Sequence, residues 1–380
     1  MIYIKWVSGV LRLEQAYTDV VEAFKYDSTN EQYNMDFLQW RRHSDSKLAF
    51  RFSANNLENV YVSGTAVVQQ NVGISEREAL MRCGQMIGAA LLIYFVTEIA
   101  GESLLQGILR LFDIDVRIEF LSISMQGSQW AVVAARAAVV LLKYLLPTAL
   151  LIKVSRFPRR VFAPAMKGGI PELSAGVGAG MMIAGVYALI AQRDGIALAQ
   201  NVVSYKDTTA IIAYGIFDSL LAATVIELFL RGTILMLLRQ FGDPFAIFVT
   251  ALIGFLFPNQ MPERIAELLI GLAAGYLMIR SGSLPKCIAL RVVFTGLSYA
   301  RVVMVYTIHN FWLWEYSLLL ISFGALAITF FILVRRRSIS LNNQRIVLSH
   351  TQKFSALMQT VTMLPWAAVS VLLMLVQLFY

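Results

Sequence analysis

Apolar residues in this chain come in long unbroken runs rather than in the short alternations of a soluble domain. Windows rich in Leu, Ile, Val, Ala and Phe fall at about residues 83–100, 129–152, 173–192, 208–238, 244–257, 264–280, 284–308, 315–334 and 357–379. Most reach the roughly 18–20 residues that carry a helix across about 30 Å of hydrocarbon. The window 244–257 is short for a full crossing, which predicts a tilted or partly re-entrant helix. In lipid, backbone N–H and C=O groups have no water to turn to, so segments of this kind are helices. The pattern predicts an all-α polytopic transmembrane helical bundle of about eight to nine spans.

Residues 1–82 have a different pattern. They mix acidic and basic residues, hold no spanning run, and read as a polar cytoplasmic N-terminal region ahead of a transmembrane domain over 83–380. Leu11–Phe24 fits an amphipathic helix, and residues 48–70 show strand-like patches broken by Asn55-Asn56 and Ser63-Gly64. A small folded cap and an interfacial segment both fit this composition. Met1–Arg12 lacks the apolar core and small-residue cleavage pattern of a signal peptide.

Composition agrees with a membrane solvent: 58% of the 380 residues are hydrophobic and 15% charged, against about 25% charged in soluble domains. The net charge of +8 does not point to nucleic acid, because the basic residues lie between the apolar runs. One set of alternate loops holds Lys153, Arg156, Arg159, Arg160 and Lys167, then Arg239, then Arg280 and Lys286, then Arg335–Arg337, Arg345 and Lys353. The opposite set is poorer, with Arg110, Arg117, Arg193, Lys206 and Arg264. Positive residues favour the cytoplasmic side, which predicts a multi-pass inner-membrane protein with a cytoplasmic N-terminus. With nine spans the C-terminus is outside; with eight it is inside. Cys83 and Cys287 suggest neither a disulfide framework nor a metal pair.

Charged residues inside spans are costly and mark functional sites by default. Arg136 and Lys143, seven residues apart, share one helix face. Facing the bundle interior or snorkelling accounts for them, and gripping an acidic substrate or lipid headgroup is the alternative. The densest such feature is Val225-Ile226-Glu227-Leu228-Phe229-Leu230-Arg231-Gly232, where Glu227 and Arg231 stand one turn apart. Asp218 falls near the opposite face of an ideal helix and reads as an interhelix partner. Further on come Phe255-Leu256-Phe257-Pro258-Asn259, the glycine-bearing run Leu269–Leu277, the turn Arg280-Ser281-Gly282-Ser283-Leu284, and Arg291 with Thr295 one turn later.

In order and spacing, these segments over residues 208–300 resemble the CPBP family, which comprises CAAX proteases and bacteriocin-processing or immunity proteins. The resemblance implies a CAAX-protease-like core. It also implies a site at Ile226, Glu227, Arg231, Asn259, Arg291 and Thr295, where the family carries Glu, Glu, Arg, His, His and Asn. Peptide hydrolysis there needs a carboxylate base or a metal to activate water, and a donor for the oxyanion. Ile226 is no base, Asn259 is a poor proton acceptor, and Arg291 stays protonated and cannot bind a metal. Thr295 retains a donor. His43, His309 and His350 do not fall at these positions, His309 lying about 27 Å along the helix axis from Arg291. Other protease and nucleotide motifs are absent from the sequence.

The expected function is therefore that of a non-catalytic homologue of CPBP-family intramembrane proteases. It would act by binding, scaffolding or immunity-like protection within the membrane, with no cofactor or metal implied. Partners would be the bilayer and a hydrophobic or lipidated peptide or a membrane protein. An active intramembrane endopeptidase cleaving membrane-proximal or hydrophobic peptides is the first alternative, and a small-molecule transporter the second.

Overall fold

A computed structural model of the chain describes residues 28–50, 65–111, 129–166, 169–191, 208–257, 261–307, 317–325, 328–329, 341 and 347–379. Among these residues all regular structure is helical. The helices are α1 (Glu31–His43), α2 (Thr65–Leu111), α3 (Gln129–Ser155), the single turn α4 (Arg159–Phe162) and α5 (Ile170–Ala191). The run 208–239 forms one continuous helix, α6, in which Phe217–Ala222 and Leu228–Ile234 are π-helical. Then follow α7 (Asp243–Phe255), α8 (Met261–Ser281) and α9 (Leu284–Thr307), a helical stretch at 317–325, α10 (His350–Met358) and α11 (Met363–Phe379).

Four of these helices are long and apolar enough to cross a membrane, at Gly73–Gly101, Arg136–Ser155, Ile170–Ala191 and Ile212–Arg239. A fifth crossing is available if α10 and α11, bent by 90° at residues 359–362, act as one broken span. The expected run 357–379 is thus not one straight helix. Ser349 caps α10 with a reciprocal capping box, and Thr360 Oγ1 accepts from the Met363 backbone N–H at the start of α11. The short window near 244 is α7, 13 residues long, about 20 Å at 1.5 Å per residue. Helices α8 and α9, at 21 and 24 residues, have spanning length and are interrupted by buried charge.

Helix α8 is the packing centre, touching α7, α5 and α9. Small residues let these backbones approach closely. A Cβ placed on Gly180 of α5 would sit 2.5 Å from the Leu290 carbonyl oxygen of α9.

In the N-terminal part the structure departs from the sequence expectation at residues 65–70. Helix α2 begins at Thr65 and runs through residue 82 unbroken, so 65–70 are helical and not extended. Residues 28–50 close one end of the bundle. Trp40 Nε1 donates to the Ser155 carbonyl at the end of α3, and Asn30 Nδ2 donates to Gly282 O in the α8–α9 turn. Arg239, at the end of α6, donates to Asn34 Oδ1 at 2.8 Å and lies over the rings of Tyr33 and Phe37. Burial pushes the Tyr33 hydroxyl up to about 12, so it stays protonated and donates to Met236 Sδ. The Leu11–Phe24 helix and the patches at 51–64 lie outside the described residues.

Candidate functional site

Helix α6 carries Glu227 and Arg231 toward α8 and α9, and all three site-bearing helices are wrapped by apolar side chains. Glu227, Arg231 and Arg291 are at most 1% exposed. A carboxylate in such surroundings persists as an ion only when paired and hydrogen-bonded. The π-helical stretch from Leu228 starts immediately after Glu227, and insertions of this kind recur at functional sites, where they re-aim side chains. Arg231 Nε lies 3.4 Å from Glu227 Oε2, and its Nη2 reaches the Ile270 carbonyl of α8 at 3.5 Å. Gly271 makes room for this, because a Cβ there would lie 3.4 Å from Arg231 Nη2 and 2.6 Å from Ala251 Cα.

Arg291 of α9 ties the cluster together. Its Nε donates to Glu227 Oε1 at 2.6 Å. Its Nη1 and Nη2 donate to the two oxygens of Glu267, at 2.6 and 2.7 Å. The Glu267 contact is the two-pronged pairing for which a planar guanidinium is suited. Two carboxylates therefore face two guanidinium ions, and the cluster is formally neutral. Glu267, on α8, is the member that sequence reasoning missed. The available sign was a carboxylate inside an otherwise apolar span, eight residues beyond Asn259. Its side chain is 14% exposed, against 0% for Glu227, so whatever access the cluster has is on the Glu267 side.

Two of the other expected positions, Ile226 and Thr295, flank this core. Ile226 packs against the hydrophobic core beside Glu227. Thr295 sits one turn beyond Arg291, with its hydroxyl 2.9 Å from the Arg291 carbonyl and 3.3 Å from that of Ser219. Asn259 lies outside the described residues, as does His309; Phe257, two residues before Asn259, stacks on Tyr94 of α2 with ring centroids 4.7 Å apart. Of the six positions, the structure brings together Glu227, Arg231 and Arg291 as one ion-paired unit, with Ile226 and Thr295 at its edge.

Two further intramembrane cations have partners away from this cluster. Lys143 meets Glu98 of α2 at 2.6 Å and lies over the rings of Tyr94 and Tyr144. Arg136 Nη1 donates to the Tyr214 hydroxyl on α6, one turn before Asp218. Both therefore face neighbouring helices. Cys83 and Cys287 are free and buried.

Chemically, three of the four carboxylate oxygens of the cluster are engaged by one cation. Both Glu267 oxygens and Glu227 Oε1 already accept from Arg291, which leaves Glu227 Oε2 beside Arg231. A metal ion does not fit here, since it would have to displace one guanidinium and sit beside another. Among the described residues no group of three or more His, Cys, Asp or Glu side chains is placed to hold one.

Comparison with known proteins agrees with this architecture. Residues 208–297 match the family model described as Type II CAAX prenyl endopeptidase Rce1-like. No curated protein and no solved structure matches the chain. The matched stretch comprises α6, α7, α8 and the part of α9 that bears Arg291 and Thr295, the same helices that build the ion-pair cluster. Over residues 208–297, then, this membrane protein carries a CAAX-protease-like domain of the CPBP family.

Proposed function

We propose that this chain is a non-hydrolytic member of that family, using the CAAX-protease-like core to bind, scaffold or protect within the membrane. The observation that carries this reading is Arg291. Its guanidinium bonds to Glu227 Oε1 and to both oxygens of Glu267, and the remaining oxygen, Glu227 Oε2, lies 3.4 Å from Arg231 in fully buried surroundings, so every carboxylate oxygen faces a permanent cation. General base catalysis needs an accessible acceptor within about 3 Å of the attacking water; here Glu227 is fully buried and both carboxylates are turned onto permanent cations. Ile226 contributes packing where a second acid would stand. Partners of matching chemistry are hydrophobic or lipidated peptides and membrane proteins. Location in an inner membrane with the N-terminus cytoplasmic belongs to the same proposal and rests on the Lys/Arg bias of the loops.

Cleavage assays on farnesylated CAAX-type peptides and on unmodified hydrophobic peptides test the reading. The purified protein should release no product above background and should bind no stoichiometric zinc. Hydrolysis that disappears in Glu227→Ala would overturn the proposal in favour of an active endopeptidase. Turnover that survives this substitution would assign the activity to a contaminant.

A further inference from the structure

Inside the bundle Lys143, Arg239, Arg291 and Lys353 each meet a carboxylate. The surface where α1 meets the end of α3 is different. Trp40 Nε1 donates to Ser155 O, and Ser46 Oγ donates to Val154 O at 3.0 Å, so residues 40–47 and 153–160 form one continuous surface. Lys47, Lys153, Arg156, Arg159 and Arg160 are all exposed on it. These two stretches contain a single carboxylate, Asp45, which meets Arg156 at 3.2 Å. Lys47, Lys153, Arg159 and Arg160 make no ion pair among the described residues.

This surface lies at the end of a membrane span. The spanning part of α3 stops at Ser155, so Lys153 and Arg156 stand at its end. Met166 and Ile170, on the stretch that leads into α5, are 51% and 82% exposed. Apolar side chains so exposed beside cations fit the boundary between acyl chains and headgroups. Arg156 also has a left-handed backbone, with φ 52°, just past the end of α3, where glycine is the usual residue. That turn sends Phe157 onto the Trp40 ring, with 4.5 Å between centroids, while the Arg156 side chain stays 60% exposed. Strain borne by a residue other than glycine points toward function.

We propose that the junction of α1, α3 and α4 is a docking surface for the anionic phospholipid headgroups of the adjoining leaflet. Clustered cations at the end of a span attract such headgroups, and Lys153 can lay its stem along acyl chains while its ammonium meets a phosphate. An acidic polypeptide would match the same charge; the lipid is favoured because the cations flank the end of a span. A charge bias that serves insertion alone needs no lipid contact in the folded protein. The proposal does not depend on whether the core hydrolyses peptides.

Proteoliposomes carrying spin-labelled phosphatidylglycerol or phosphatidylcholine test it, since electron paramagnetic resonance reports the lipid immobilised on the protein. Phosphatidylglycerol should be preferred at low salt. Added salt should reduce the preference, because exposed charges are screened beyond about 10 Å at 0.1 M. Replacing three cations together, by Arg156→Asn, Arg159→Gln and Arg160→Gln, should remove at least about half of the preference. Asn adopts the left-handed backbone readily, so α3 should end as before. Lysine at the same three positions should keep the preference. Arg77→Gln with Arg82→Gln is the control, because these exposed cations of α2 are engaged by Gln359 and Glu78; it should change nothing. Thermal melts and cysteine labelling check fold and orientation, and Lys47→Gln with Arg160→Gln carries the test if the triple variant inserts differently. Equal immobilisation of the two lipids by the unaltered protein would overturn the proposal and leave the surface to an acidic polypeptide. So would an undiminished preference in the correctly oriented triple variant, or an equal loss in the α2 control.

Discussion

Arg291 serves three helices with one side chain, and the energetics of the site follow from that. Its guanidinium compensates Glu227 on α6 and Glu267 on α8 while anchored on α9. Removing it leaves Glu267 without its cation and Glu227 with Arg231 alone, whereas removing one carboxylate leaves Arg291 still paired. Arg291→Leu should therefore cost roughly 3–5 kcal/mol, the range for breaking a buried pair from one side. Adding Glu267→Gln to it should recover part of that loss, because Glu227 and Arg231 then remain as a neutral pair, whereas adding Glu227→Gln as well should recover no more. Thermal melts in detergent for the single, double and triple variants measure the coupling. Strictly additive losses would mean that these side chains do not stabilise one another.

Between elements, the site depends on how closely α7 and α8 approach. Gly271 is the point of contact, with its absent Cβ 2.6 Å from Ala251 Cα and beside the Arg231 guanidinium. Gly271→Ala must push α8 away from α7, an overpacking that costs about 1–3 kcal/mol, and it loosens the contact of Arg231 with Ile270 O as well. Gly254→Ala is the matched control, because its nearest neighbour would be Glu267 Oε2 at an ordinary 3.7 Å. Melting temperatures should fall clearly for the first and little for the second. Equal effects would show that helix propensity matters here more than the close approach. The same small-residue logic places α5 on α9 through Gly180.

At the scale of the molecule, residues 28–50 lock one end of the bundle by bonding to the ends of α3 and α6 and to the α8–α9 turn. These helix ends belong to the alternate set of loops that is richer in Lys and Arg, so the N-terminal segment, residues 153–167 and the 335–337 loop should share the cytoplasmic side. Cysteine-accessibility labelling in sealed inverted and right-side-out vesicles checks this. Arg336→Cys should react with an impermeant reagent only when the cytoplasmic face is exposed, and labelling solely from the opposite face would reverse the assigned topology.

Hydropathy alone was enough to specify helices in a membrane, because lipid leaves the backbone no other partner than itself. The order and spacing of Glu227, Arg231, Phe255, the glycine run, the 280–284 turn and Arg291 were enough to identify the protease-like core, since each is a local feature of one helix or turn. The pairing of Glu227 with Arg291 could be anticipated from the cost of a lone buried charge. Glu267 could not, because nothing in an isolated helix says which face meets which neighbour, and only the packing of α8 between α6 and α9 turns it onto Arg291. The docking of residues 28–50, the early start of α2 and the bend between α10 and α11 were likewise outside the reach of periodicity. They depend on contacts between residues tens to hundreds of positions apart, such as Asn30 with Gly282 and Thr362 with Gln85, which exist only once the helices are assembled.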